Sequence, residues 1–194
     1  MSNRRLQVVL ALVALLALPR VVWATPIVTN TSGTLSATRP WGQSVTTPGG
    51  LGWDNVTFNW FDTAGAPTAA GFLFLLTQSY TGTVAGLDSS APGFLASTNN
   101  ISGGMWFFAP GLIIQPNTQY FFYSTTPILN TGSITDPYSG GMVFKGSTGS
   151  YVAFSGQDAN FSLEGNPVPE PGTFVLLGIG LAGFAVRRRL TQRS

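Results

Sequence analysis

The chain contains no cysteine and no histidine. Without cysteine there is no disulfide framework, no thiolate metal site and no cysteine nucleophile. Without histidine the usual general base and the commonest transition-metal ligand are both missing. Charge is scarce as well: 8% of the residues are charged, against roughly a quarter in an ordinary soluble domain. Glycine (24) and proline (13) are plentiful over the 194 residues. That length fits one domain with appendages.

The net charge of +2 conceals a strong segregation. Arg4, Arg5 and Arg20 lie near the N-terminus, and Arg187, Arg188, Arg189 and Arg193 near the C-terminus. Between Thr25 and Asn166 the only cations are Arg39 and Lys145, facing Asp54, Asp62, Asp88, Asp136, Asp158 and Glu164. The body is therefore mildly acidic. Nucleic acid is excluded as a partner, because the basic residues form no patch on the body.

Met1 to Arg5 is a short positive region, Leu6 to Leu18 is almost wholly apolar, and Val22-Trp23-Ala24 places small residues at −3 and −1 of a cut before Thr25. That order predicts a secretory signal peptide over residues 1–24, removed between Ala24 and Thr25 by signal peptidase. An apolar run of about 13 residues is short of the roughly 20 that span a bilayer.

The body, residues 25–166, carries strand signals. Val56-Thr57-Phe58-Asn59-Trp60 alternates, which predicts a half-buried strand with Val56, Phe58 and Trp60 inward. Phe72-Leu73-Phe74-Leu75-Leu76 is a continuous apolar run of a length that suits a buried strand. Shorter strands are expected at 94–96, 104–109, 117–124, 142–144, 151–154 and 159–163, with Phe161 and Leu163 on one face. Residues 29–34 read as a polar lead-in, 79–91 as a long polar loop and 127–141 as turn-rich. No helical period with caps interrupts this pattern. The expectation is an all-β domain of seven or eight strands, an antiparallel, jelly-roll-like β-sandwich, between an N-terminal signal helix and a C-terminal transmembrane helix.

The last 28 residues, 167–194, set a breaker, an apolar segment and a basic cluster in order. Val168-Pro169-Glu170-Pro171 precedes an apolar segment, residues 173–186, and then Arg187-Arg188-Arg189. The prolines hold the backbone extended and bar a helix from starting before Gly172. Gly172 to Val186, at the helical rise, is about 22 Å long, short of a hydrocarbon core of about 30 Å, so the bilayer must thin or flanking residues contribute. The arginines set the topology by staying cytoplasmic, which leaves the body outside. Gly178-Ile179-Gly180-Leu181-Ala182-Gly183 satisfies the dinucleotide pattern, but no acidic residue follows it. These glycines read instead as small residues of a membrane helix.

This tail resembles a PEP-CTERM sorting signal. The resemblance implies export and processing by an exosortase-type enzyme, with the membrane as a transient anchor. It also implies an origin beside extracellular-polysaccharide systems. Less specifically, Phe72–Leu76, Leu112-Ile113-Ile114-Gln115-Pro116-Asn117-Thr118-Gln119-Tyr120 and Tyr138-Ser139-Gly140-Gly141 resemble choice-of-anchor sandwich domains. There a late strand typically reads Asp-Leu-Ala-Phe, where this chain has Asp158-Ala159-Asn160-Phe161.

Other motifs carry less. Four Asn-x-Ser/Thr triplets, at Asn30, Asn55, Asn100 and Asn160, are what a chain rich in these residues produces by chance. Asp54, Asp88, Asp136 and Asp158 sit beside turn residues, where aspartate commonly caps. No D-x-D-x-D-G calcium loop is present, and no cofactor or metal is expected. Trp41 and Trp53 flank a Gly/Pro-rich loop and are the expected surface aromatics for sugar stacking. The favoured reading is a non-enzymatic exported protein of the cell envelope or extracellular matrix, associated with exopolysaccharide or biofilm. The alternatives are a carbohydrate-binding module and, more weakly, a glycoside hydrolase using two carboxylates.

Overall fold

The computed structural model describes residues 24–146 and 149–168, together with Gly178, Gly180 and Leu181 in helical conformation. The signal helix and the transmembrane helix expected from the sequence lie outside the described residues, apart from those last three. Among the described residues no helix is long and apolar enough to cross a membrane.

The described residues form thirteen strands: β1 (Thr25–Asn30), β2 (Leu35–Arg39), β3 (Trp41–Thr46), β4 (Gly52–Trp60), β5 (Leu73–Leu76), β6 (Phe94–Thr98), β7 (Ile101–Ser102), β8 (Met105–Phe107), β9 (Gln119–Ser124), β10 (Ile128–Gly132), β11 (Val143–Gly146), β12 (Tyr151–Phe154) and β13 (Phe161–Val168). One antiparallel sheet runs β1-β13-β4-β8-β7 and the other β12-β11-β3-β9-β5-β6, with β10 and β2 as a separate ribbon. The all-β, antiparallel expectation holds. The strand number was underestimated, chiefly because β1, β2, β3 and β10 are rich in Thr, Ser, Asn, Gln and Gly and carry little apolar alternation.

The core forms where the two sheets face each other. Val56, Phe58 and Trp60 of β4 are fully buried, as their alternation predicted, and so are Phe161 and Leu163 of β13. From the opposite sheet come Val45, Leu73, Leu75, Phe122 and Val143. The Phe58 and Phe122 rings stack across the gap with centroids 4.3 Å apart. A side chain of this size removed from water contributes roughly 1.5–3 kcal/mol, so this face-to-face contact is what holds the layers together.

The run Tyr120-Phe121-Phe122-Tyr123 does not alternate in polarity, and β9 is correspondingly buried on both faces. Tyr120 and Phe122 join the main core, whereas Phe121 and Tyr123 join a second cluster with Leu76, Phe144 and Tyr151. The long loop expected to be merely polar covers that outer face. Its Leu87 and Ala91 are buried there, and the Tyr123 hydroxyl accepts a 2.8 Å hydrogen bond from the Tyr80 N–H. The loop contributes a wall of the domain.

β3 is buried along its length despite being written in polar residues, because its polar groups are paired. Gln43 Nε2 donates to Asp158 Oδ1 at 2.9 Å and to the Ser44 carbonyl at 3.0 Å, while Gln43 Oε1 accepts from the Ala159 N–H at 2.9 Å. Asp158 Oδ2 accepts from the Tyr138 N–H at 3.0 Å. Burial raises the Asp158 carboxyl above its ordinary value, and the hydrogen bonds from Gln43 and Tyr138 only partly offset this. The folded state therefore holds that proton more tightly than the unfolded chain does. The stability tied to it is full below the unfolded pKa of about 3.9 and is lost as pH rises through the folded value. Asp158→Asn cannot titrate, and its amide sets a donor against a donor. The advantage of the natural protein over this variant, read from urea midpoints, should be larger at pH 4 than at pH 7. An advantage independent of pH would refute the assignment.

Candidate functional site

The end of the sandwich at which the chain enters and leaves carries the functional signals of this protein. β1 and β13 are antiparallel neighbours with Thr25 opposite Gly165, and the Thr25 hydroxyl donates to the Gly165 carbonyl at 3.3 Å. β13 then continues past the start of β1, paired with β4 as far as Val168 opposite Gly52. The start of β1 and the end of β13 thus emerge from one pole of one sheet. Pro167 lies in this overhang, opposite Trp53 and beyond the β1 pairing, where a missing N–H costs the β1 ladder nothing.

The pole is shaped by two irregularities, one opposite Gly165 and one beside it, opposite Glu164 and Leu163. On one side Asn55 and Val56 of β4 oppose the single Gly165, and Asn55 takes a left-handed conformation with φ of 48°, which asparagine adopts more readily than most residues. On the other side the β1 register shifts between Pro26 and Val28. A Cβ at Gly165 would lie 3.0 Å from the Asp54 carbonyl oxygen and from Trp53 Cβ, and 3.2 Å from Ile27 Cδ1. Two of these neighbours belong to the β4 main chain and its first side-chain atom, so they cannot swing away. Gly165→Val should therefore cost about 1–3 kcal/mol and loosen the β1–β13 seam. Limited proteolysis with end sequencing should show earlier cleavage near Thr25 in this variant. A cleavage pattern identical to that of the natural chain would count against this account.

Each residue singled out from the sequence can now be placed. Val168 is the last residue of β13, and Thr25 the first of β1, with exposed Ala24 just before it. Pro169, Glu170 and Pro171 lie outside the described residues, as do Arg187, Arg188 and Arg189. The Trp41 and Trp53 expectation is corrected. Both are buried, at 2% and 8% exposure. Trp41 is the first residue of β3, and its indole N–H donates to the Ile128 carbonyl at 3.2 Å. Trp53 is held within β4, bridged through its backbone to Ile114 by two 2.9 Å hydrogen bonds. The Gly/Pro loop between them is exposed, but the flanking tryptophans turn into the core, and neither offers a free face to a sugar ring.

Among the carboxylates, Asp62 accepts from the N–H groups of Ala64 and Ala66, and Asp88 from the N–H and hydroxyl of Ser90. The hydroxyl and N–H of Ser90 hold the Asp88 carboxyl below its ordinary value. Both act as turn caps, a role the sequence suggested for Asp88 but not for Asp62, whereas Asp158, also expected to cap, is buried against Gln43 and Tyr138 instead. Among the described residues no group of three or more potential metal ligands comes together.

With the body's last strand ending at Val168, what begins there decides the matter. Residues 167–189 match the PEP-CTERM protein-sorting motif. The chain is thus an exported protein sorted by an exosortase, and its precursor transits the membrane. No curated protein matches the chain. The PEP-CTERM match covers the tail alone, and the choice-of-anchor resemblance of the body finds no support beyond the sequence itself.

Proposed function

We propose that the protein is a non-enzymatic component of the cell envelope or extracellular matrix, delivered as a precursor with two removable ends and associated there with exopolysaccharide. Signal peptidase removes residues 1–24, residues 173–186 hold the precursor in the membrane, and the arginine cluster stays on the cytoplasmic side. The exosortase-type enzyme then acts at Val168-Pro169-Glu170-Pro171 and releases the folded domain, from Thr25 to a cut close to Pro169.

The observation that carries this reading is the coincidence of the folded domain with the two signals. β1 begins at Thr25, the residue that follows the expected cut, and β13 runs to Val168, inside the sorting-motif match over residues 167–189. Between Val168 and the apolar run from Phe174 lie only Pro169 to Thr173. At roughly 3.3–3.6 Å per residue this tether reaches under about 20 Å. The anchored domain would sit with its terminal pole near the bilayer, its extended motif lying between fold and membrane where an enzyme cleft can take it. The turn-capping roles of Asp62 and Asp88 favour the non-enzymatic reading over a hydrolase with paired carboxylates.

Intact mass of the released protein tests the whole route. The expected product starts at Thr25 and ends close to Pro169. A secreted chain that keeps either end contradicts the corresponding step, and the two steps are read separately from one spectrum.

A further inference from the structure

The two cations of the body, far apart in sequence, meet in space. Arg39 closes β2, Pro40 turns the chain, and Trp41 opens β3 directly opposite Lys145 of β11. Arg39 and Lys145 both line a cavity of about 190 Å³, with Trp41 and Asp158 also in its wall. Leu35 and Ile134, 55% and 68% exposed, form an apolar rim at its mouth.

Among the described residues neither cation is paired with a carboxylate. Lys145 Nζ donates to Gln157 Oε1 at 2.5 Å and lies 4.3 Å from the Phe154 ring centroid. The Arg39 guanidinium carbon stands 5.6 Å from the Trp41 ring centroid, and its Nε is buried without a hydrogen-bond partner. Burial and then the neighbouring Arg39 charge push the Lys145 amine below its ordinary value. Asp158, in the same wall, offsets at most one of these charges, and its two oxygens are already engaged by Gln43 Nε2 and the Tyr138 N–H. Two like charges gathered in a partly buried recess, in a domain otherwise acidic, oppose folding unless an anion balances them.

We propose that this cavity binds the carboxylate group of an acidic sugar, a uronate residue of a polysaccharide. The Arg39 guanidinium supplies a planar fork matched to a carboxylate, and Lys145 supplies the second charge. Against these two cations the wall carries one carboxylate, so the lining has a single positive charge in excess. That suits a monoanion better than a phosphate dianion. The aliphatic rim of Leu35 and Ile134 faces the apolar side of a sugar ring, and the volume admits one ring-sized group. The assignment rests on the polysaccharide association proposed above, but it is independent of how the tail is processed.

The test is calorimetric titration of the full-length chain, kept in detergent, with galacturonate, galactose and inorganic phosphate at low salt. Galacturonate should bind, at least tenfold more tightly than galactose, and its affinity should fall as salt is raised. Lys145→Gln, a half-exposed position that leaves the core intact, should weaken galacturonate at least tenfold. Arg39→Gln should do the same, with its thermal midpoint recorded to show that it folds. Absence of galacturonate binding, equal binding of galactose, or unchanged affinity in Lys145→Gln overturns the proposal. Phosphate binding more tightly than galacturonate overturns the uronate assignment in favour of a phosphate site. A chain that fails here yet is still trimmed to Thr25 and Pro169 refutes the pocket alone.

Discussion

Replacing Pro169 and Glu170 together by alanine should leave the precursor in the membrane fraction, with the trimmed form reduced by about tenfold or more. The reason is physical as much as chemical. Pro169 and Pro171 keep the segment after Val168 out of the helical region, so a cleft can receive it as an extended strand. The glutamate is the only acidic residue of the tail. Alanine in place of Pro169 lifts the bar to helical backbone there, while removing glutamate deletes the one acidic charge available for recognition. Pulse-labelling and fractionation would read the ratio of membrane-held to released protein. Unchanged processing would mean that the enzyme reads only the apolar segment and the arginines.

Trp60→Ala should be the most damaging single change in the body, at about 3–5 kcal/mol out of a total stability of about 5–15 kcal/mol. Trp60 is fully buried at the end of β4, edge-on to Phe58 at 4.7 Å and to Trp106 at 5.4 Å between centroids. Alanine opens a void that two large rings on rigid strands cannot collapse into. Trp60→Phe is the informative contrast. It keeps an aromatic ring between these partners and deletes an indole N–H that is buried without a hydrogen-bond partner. Its cost should stay below about 1.5 kcal/mol. Urea denaturation of both variants separates the two cases, and similar losses would show that the contact geometry, not the volume, dominates.

Legibility followed how each element is stabilised. β4, β5 and β9 were readable because apolar alternation or a continuous apolar run announces burial on one face or two. β3 was not, since Trp41-Gly42-Gln43-Ser44-Val45-Thr46 carries neither an apolar alternation nor an apolar run. Its burial depends on Gln43 finding Asp158 and Ala159, more than a hundred residues away. The same holds for β1, whose Thr25, Thr29 and Asn30 side chains are paired only once the sheet exists. The tryptophans misled in the opposite sense. A Gly/Pro-rich loop between Trp41 and Trp53 suggested surface, yet each indole belongs to the strand beside the loop.

By itself the sequence determined the route of this protein. A sorting tail is linear information, a proline-flanked glutamate, an apolar segment and arginines in order, which an enzyme and a bilayer read without a fold. It likewise determined the all-β class, because a period of two is local. Only the tertiary structure decided that Thr25 and Val168 leave from one pole, that Trp41 and Trp53 face inward, and that Arg39 and Lys145 share a cavity. Those facts arise from strand pairing between distant segments. Such register is set by the summed burial of both sheets, which no window along the chain contains.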